Sequence, residues 1–141
     1  MLIEKVLYYA RVKATAGRDI RAVSSDGVLD LKVTMPLELG GTHGRGTNPE
    51  QLFAASYAAS FLGMMRLVAG RDGTALPTNT EVEASVGVGQ APRGFGIEVE
   101  LRISLPGLPR AEADSLVEKS HALCPYSNAT RGNVSVRLVL V

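Results

Sequence analysis

The chain has 141 residues, enough for one domain that buries about two thirds of its extended surface on folding. Fifteen basic residues are nearly balanced by 14 acidic ones, so the net charge is +1. No run of Lys and Arg is long enough to form the electrostatic surface that nucleic acids require. We therefore predict a single domain over 1–141, without a linker and without a nucleic-acid partner.

The sequence also bears on the compartment. Glu4 and Lys5 interrupt the apolar run at the amino terminus before it could form the core of a signal peptide. Cys124 is the only cysteine, so the chain cannot form an internal disulfide and suits a reducing environment. The longest uncharged run, 51–65, is shorter than the roughly 20 residues that span a bilayer. We predict a cytoplasmic protein that does not insert into a membrane.

The first third of the chain predicts strands joined by turns. Residues 16–19 and the pair Asp26-Gly27 have turn composition and separate three apolar stretches. The predicted strands are 6–15, 20–24 and 28–35. The segment 36–47 follows, and its four glycines predict a loop.

A helix start follows this loop. Asn48 can cap the helix, Pro49 suits its first position, and Glu50 lies in the first turn, where negative charge is favourable. The helix is predicted to run to about residue 70. Because it is apolar on all sides through its middle, we expect protein to surround it.

The second half again places paired strands next to a helix. Strands are predicted over 80–90 and 95–105, a helix over 110–123, and a last strand over 134–141. Pro125 stops the second helix. Its core stripe is predicted to contain Leu116, Leu123 and either Ala113 or Val117. The fold class is therefore α+β, with antiparallel sheets packed on two main helices.

Three motifs resemble those of a known family. The segment 46–63 reads GTNPEQLFAASYAASFLG, the segment 124–131 reads CPYSNATR, and Gly17-Arg18-Asp19 precedes SSDG at 24–27. Together they resemble the organic hydroperoxide resistance proteins of the OsmC-like family, over nearly the whole chain. The resemblance implies an OsmC-like fold and an intertwined homodimer.

The resemblance also implies a thiol peroxidase that reduces organic hydroperoxides to alcohols and protects against oxidative stress. It places a peroxidatic cysteine at position 60, makes Cys124 the resolving cysteine, and completes the site with Arg18 and Glu50. A guanidinium favours the reactive thiolate, and a carboxylate can orient that guanidinium through a bidentate pair. The implied reductant is dihydrolipoamide or a lipoylated protein, with no bound cofactor. Apolar residues near the site would favour alkyl or fatty-acid hydroperoxides: Leu39, Phe53, Phe61 and Met64.

Position 60 of this chain is Ser60. A serine hydroxyl is far less acidic than a thiol and can form neither a sulfenic acid nor a disulfide, so we expect this chain to be inactive as a peroxidase. A Cys-to-Ser replacement explains the sequence most simply. The alternative is a natural copy that has lost its nucleophile and binds lipid peroxides or lipoyl groups without catalysis.

Glu50 and Ser60 cannot meet within one straight helix. Ten residues at about 1.5 Å each place them roughly 15 Å apart along its axis. Either Arg18 bridges that distance, or Arg18 and Glu50 of one subunit meet position 60 of another. We favour the second arrangement, in which two antiparallel copies of the small-residue helix form a C2 dimer with two composite sites.

Each of these residues also has an ordinary structural interpretation. The Ser60 hydroxyl could bond back to the carbonyl of Ser56. Arg18 could be a solvated charge, Glu50 only a partner of the helix dipole, and Cys124 an inert buried thiol.

A serine hydrolase and a zinc site are less well supported. The sequence around Ser60 lacks a Gly-x-Ser-x-Gly motif and places no obvious histidine beside it. His121 and Cys124 have the spacing of two metal ligands on a helix, but only His43 is available as a third. We therefore predict no metal site.

Overall fold

The computed structural model describes residues 1–42 and 44–141, which form two compact units, Met1–Leu52 and Phe53–Val141. The first unit contains β1 (Val12–Thr15), β2 (Ile20–Ser24), β3 (Asp30–Val33) and the first turn of α1 (Pro49–Arg71). The second contains the rest of α1, then β4 (Glu81–Ala91), β5 (Gly94–Ser104), α2 (Arg110–Leu123), α3 (Pro125–Thr130) and β6 (Ser135–Leu140). The expectation of one domain over 1–141 remains a prediction.

The first unit is built on an antiparallel sheet in the order β1-β2-β3. Its turn after β2 is closed by Asp26, whose Oδ1 accepts the Ser24 hydroxyl at 2.6 Å and the Val28 N–H at 3.0 Å. β1 begins only at Val12, although the sequence predicts a strand from residue 6. The reason is that β2 ends at Ser24, opposite Val12, so the earlier residues have no neighbouring strand among those described in this unit.

The second unit combines a long hairpin with a parallel third strand. β4 and β5 pair antiparallel from Glu81↔Ser104 to Ala91↔Gly94. β6 runs parallel to β5, which corrects the expectation of purely antiparallel sheets. The chain leaves the carboxyl end of β5, passes through α2 and α3, and crosses back so that β6 starts beside Glu98 and runs in the direction of β5, and such a crossover produces parallel strands.

The α+β class is confirmed, and the helix and strand ends other than the start of β1 lie within about two residues of those predicted. The capping prediction at α1 is also correct. Asn48 Oδ1 accepts the backbone N–H of Gln51 at 2.7 Å, which satisfies one of the free donors of the first turn.

α1 supplies one wall of the core in the second unit. Tyr57, Phe61 and Met65 recur every four residues on one face of the helix and are completely buried. They belong to one hydrophobic cluster with Leu101 and Ile103 of β5. By length and composition alone α1 could cross a membrane, but core helices of soluble proteins pass the same test. Its buried aromatic face is that of a core helix.

The opposite face of α1 is open. Ala55, Ala59 and Gly63 also recur every four residues, and all three are exposed. A Cβ added at Gly63 would meet no heavy atom of the described residues within 4 Å. Among the described residues, protein therefore covers one side of α1. The expectation that protein surrounds the helix is correct for that side only.

α2 packs one stripe of small and aliphatic side chains into the core. Its buried residues are Ala113, Leu116, Val117 and Ser120. Leu123, predicted to belong to this stripe, is instead 47% exposed. Leu123 is the last residue of α2, and the buried stripe continues at Cys124 instead. Pro125 ends α2 as predicted and also begins α3.

Gly41 offers a test of packing in the first unit. A Cβ at this position would clash with the carbonyl oxygen of Met35 and lie 2.8 Å from that of Pro36. Because these are backbone atoms, Gly41→Ala should lower the free energy of unfolding by about 1–3 kcal/mol, measured by urea unfolding. Gly70→Ala, where the added Cβ meets no described atom within 4 Å, should leave stability unchanged or raise it by about 0.5–1 kcal/mol. Equal losses in both variants would contradict this account.

Candidate active site

Ser60 and Cys124 lie side by side in the second unit. Ser60 is half-buried in the middle of α1, and Cys124 is completely buried between α2 and α3. Ser60 Oγ lies 3.8 Å from Cys124 Sγ, a separation compatible with a weak hydrogen bond to sulfur. In this part of α1, a serine hydroxyl does bond back to a helix carbonyl, but the serine is Ser56, which donates to the carbonyl of Phe53 at 2.9 Å. The structure therefore brings together the two positions that the resemblance assigns to the redox pair.

The backbone around Cys124 is fixed from both sides. Cys124 is extended, with φ −64° and ψ 126°, as expected of a residue that precedes proline. Its N–H donates to the carbonyl of Ser120 at 2.8 Å and closes α2. Its carbonyl accepts the N–H of Asn128 at 2.9 Å and opens α3. The thiol thus projects from a corner whose position both helices determine.

A chain of three polar side chains runs beside this corner. The Tyr57 hydroxyl lies 2.8 Å from Ser127 Oγ, and Ser127 Oγ lies 2.8 Å from His121 Nδ1. Tyr57 and Ser127 are completely buried. The sequence did not predict these hydrogen bonds, because the residues that form them are up to 70 residues apart. Tyr57 and Ser127 lie inside the two longer motifs, but nothing in the sequence indicated that they meet.

The charge state of His121 follows from its surroundings. Burial lowers the pKa of His121 below its usual value, and the positive charge of Arg131 lowers it further. The same Arg131 donates to the carbonyl of His121 at 2.8 Å and to Asn128 Oδ1 at 2.6 Å. His121 is therefore neutral near pH 7, so one of its ring nitrogens can accept a hydrogen bond.

Aromatic side chains cover this part of α1. Phe53 packs edge-on against Tyr57 and Tyr126, with ring centroids 6.4 and 6.3 Å apart. Phe61, predicted to favour an alkyl substrate, is completely buried in the core and is therefore not open to a ligand. Phe53 and Met64 are partly buried beside that core.

Arg18 and Glu50 belong to the first unit. Arg18 is exposed in the turn between β1 and β2, and Glu50 lies in the first turn of α1. Among the described residues, no ion pair joins them and neither forms one with another side chain. Glu50 Oε2 is nevertheless shielded from solvent without a hydrogen-bond partner among those residues. Their predicted pairing stays a prediction.

The described residues also bear on the metal-ligand candidates. Within residues 1–42 and 44–141, no group of three His, Cys, Asp or Glu side chains is placed to hold a metal ion. His43, the third ligand candidate of the sequence, lies outside the described residues. His121 Nδ1 is engaged by Ser127.

Most of the chain is similar to proteins of one known family. A family profile described as "OsmC-like protein" matches residues 41–139. The organic hydroperoxide resistance protein of Xanthomonas axonopodis pv. citri is 60% identical over 137 residues, which cover 97% of this chain and 96% of that protein. The organic hydroperoxide resistance protein OhrB of Bacillus subtilis is 43% identical, over 95% of this chain and 98% of its own length.

Solved structures agree. The crystal structure of an organic hydroperoxide resistance protein from Elizabethkingia anophelis superposes with a TM-score of 0.91 at 45% identity, covering 96% of this chain and 97% of that one. The structure of Bacillus subtilis OhrB gives a TM-score of 0.85 at 42% identity, covering 96% and 100%. The chain therefore belongs to the OsmC-like family, and within it to the organic hydroperoxide resistance proteins.

Proposed function

We propose that this chain carries the site of a thiol-dependent peroxidase that reduces organic hydroperoxides to alcohols. The observation that carries the proposal is the 3.8 Å approach of Ser60 Oγ to Cys124 Sγ. A sulfur at position 60 would lie beside a buried thiol, as the conversion of a sulfenic acid to a disulfide requires. Relatives at 60% and 43% identity are named for organic hydroperoxide resistance, which supports this substrate class.

The first step belongs to position 60. A thiolate there attacks the terminal oxygen of the hydroperoxide ROOH, and the O–O bond breaks. The sulfur is oxidised to a sulfenic acid, while the RO⁻ leaving group takes up a proton and departs as the alcohol.

The second step belongs to Cys124. Its sulfur attacks the sulfenic sulfur, a disulfide forms, and the hydroxyl leaves as water with the proton of the thiol. A dithiol such as dihydrolipoamide or a lipoylated protein then restores both thiols by exchange and becomes a disulfide itself. A cytoplasmic location, where thiols are kept reduced, suits this cycle.

Arg18 and Glu50 are proposed to stabilise the thiolate. The shielded Glu50 Oε2 needs a donor, because an unpaired carboxylate oxygen away from water is unfavourable. Arg18 is exposed and engaged in no ion pair among the described residues, so its guanidinium is available. Held by Glu50, the guanidinium would lower the pKa of a thiol near it.

Serine at position 60 stops this cycle before its first step, so the chain is proposed to be inactive as a peroxidase. The same residue favours a second candidate function. In that case the protein is a non-catalytic homologue that binds lipid peroxides or lipoyl groups.

Ser60→Cys is the decisive variant. We expect it to consume an alkyl hydroperoxide with dihydrolipoamide as reductant, whereas the unaltered chain does not exceed the buffer rate. In the Ser60→Cys background, Arg18→Gln should lower the rate at pH 7 by about tenfold or more, because one unit of thiol pKa changes the thiolate fraction tenfold. Consumption of hydroperoxide and of dithiol is measured in parallel.

Two controls separate the candidates. Ser60→Cys combined with Cys124→Ser should form a sulfenic acid, trapped by dimedone, but no internal disulfide. Retained affinity for a hydroperoxide or for lipoamide without turnover in Ser60→Cys would defeat the enzyme and support the non-catalytic homologue.

We also propose that two copies of the chain pair through the open face of α1. The stripe formed by Ala55, Ala59 and Gly63 is exposed, although the helix is apolar throughout its middle. Small side chains allow two helices to approach closely, since the interaxial distance depends on the residues at the contact. In a C2 dimer, Arg18 and Glu50 of one subunit would complete the site at Ser60 of the other.

Gly63→Leu tests this dimer. Leucine has room in the single chain, because no described atom lies within 4 Å of the added Cβ, but it would hold two helices apart. We expect the dimer dissociation constant to rise by about tenfold or more, measured by sedimentation equilibrium. Met64→Leu conserves volume on the same helix and should leave the constant unchanged. A monomeric unaltered chain, or equal constants in all three proteins, would contradict the proposal.

A further inference from the structure

We infer that the side chains of Tyr57, Ser127 and His121 form a hydroxyl clamp that positions Cys124 against position 60. The inference rests on the proposed function, and it concerns residues whose side-chain hydrogen bonds go to one another rather than to Cys124 Sγ or Ser60 Oγ. The three are positioning residues. Their hydrogen bonds join α1, α3 and α2 through one serine oxygen, Ser127 Oγ.

Each reacting position has a member of the clamp three residues away along the chain. His121 precedes Cys124 by three residues on α2, and Ser127 follows it by three residues on α3. Tyr57 precedes Ser60 by three residues on α1, close to one helical turn. A displacement of α1 relative to the corner would therefore stretch the Tyr57 to Ser127 bond as it separated Ser60 from Cys124.

One direction of the hydrogens satisfies every hydroxyl in the clamp. With the proton of neutral His121 on Nε2, Ser127 donates to Nδ1. Ser127 Oγ then accepts from the Tyr57 hydroxyl, which has 0% exposure and no access to water. In the opposite direction the Tyr57 hydroxyl would have no acceptor among the described residues. Removal of the Ser127 hydroxyl thus leaves a buried donor and a half-buried acceptor without partners, which is costly.

Backbone hydrogen bonds do not duplicate this role. Those at Cys124 join α2 to α3, through Ser120 and Asn128, and leave α1 free. The Tyr57 to Ser127 bond is the buried hydroxyl link from α1 to α3 in the part of the chain that the structure describes. It is this link that can transmit the position of α1 to the thiol.

Ser120 supplies a matched control. Ser120 is as buried as Ser127 and adjacent to His121, but its Oγ has no hydrogen-bond partner among the described residues. Ser120→Ala and Ser127→Ala therefore remove the same atom from two equally buried sites, and only the second breaks the clamp.

The experiment measures the equilibrium between the two thiols in Ser60→Cys and a disulfide, using a glutathione redox buffer. We expect Ser127→Ala and Tyr57→Phe to lower the effective concentration of the thiol pair by about five- to tenfold, the equivalent of one buried hydrogen bond. Ser120→Ala should not change it, and Ser127→Thr, which retains a hydroxyl, should restore it. The rate of sulfenic acid formation with hydroperoxide should stay the same in all variants.

The outcomes are distinct. Equal effective concentrations in Ser127→Ala and Ser120→Ala would overturn the clamp, and so would a loss of sulfenic acid formation in proportion, which would indicate general destabilisation. Failure of Ser60→Cys to form any disulfide with Cys124 would overturn it as well. Because glutathione replaces the hydroperoxide, a protein without peroxidase turnover defeats the proposed function and leaves this test intact.

Discussion

The contact between the middle of α1 and the corner at Cys124 is the constraint on which the candidate site depends. Burial of Tyr57 and Phe61 fixes the rotation of α1 about its axis, and this rotation directs Ser60, which lies between them, toward the corner. Pro125 fixes the other side, because it forces Cys124 into an extended backbone. Core packing and two helix ends therefore bring Ser60 Oγ to 3.8 Å from Cys124 Sγ, and the proposed hydroxyl clamp holds them in that position.

Local patterns predicted most of the fold. Asn48 and Pro49 mark the start of α1, and Pro125 marks the end of α2, because caps and prolines act on the backbone within a few residues. The direction of β6 was not predicted, since a strand has the same local pattern in parallel and antiparallel pairs. The hydroxyl clamp was missed for a related reason: a hydrogen bond across 70 residues leaves no local signature.

Within a single copy of the chain, the described residues provide partners for some of the predicted site residues but not for others. Ser60 and Cys124 have each other as neighbours within the second unit. Arg18 is exposed, and the shielded Glu50 Oε2 is unpaired among the described residues. A motif specifies which residue types a site contains, but not which groups those residues contact. It could therefore predict Arg18 and Glu50 as site residues without predicting their partners. The proposed pairing through the open face of α1 would supply them from a second chain.

The parallel pairing of β6 also sets an order of events during folding. β4 and β5 are joined by a two-residue turn and can pair locally, whereas β6 reaches β5 only across the crossover formed by residues 105–134. Closing that longer loop costs more conformational entropy, so we expect the hairpin to form first. The corner that carries Cys124 lies inside the crossover and is anchored at both ends only once β6 has docked.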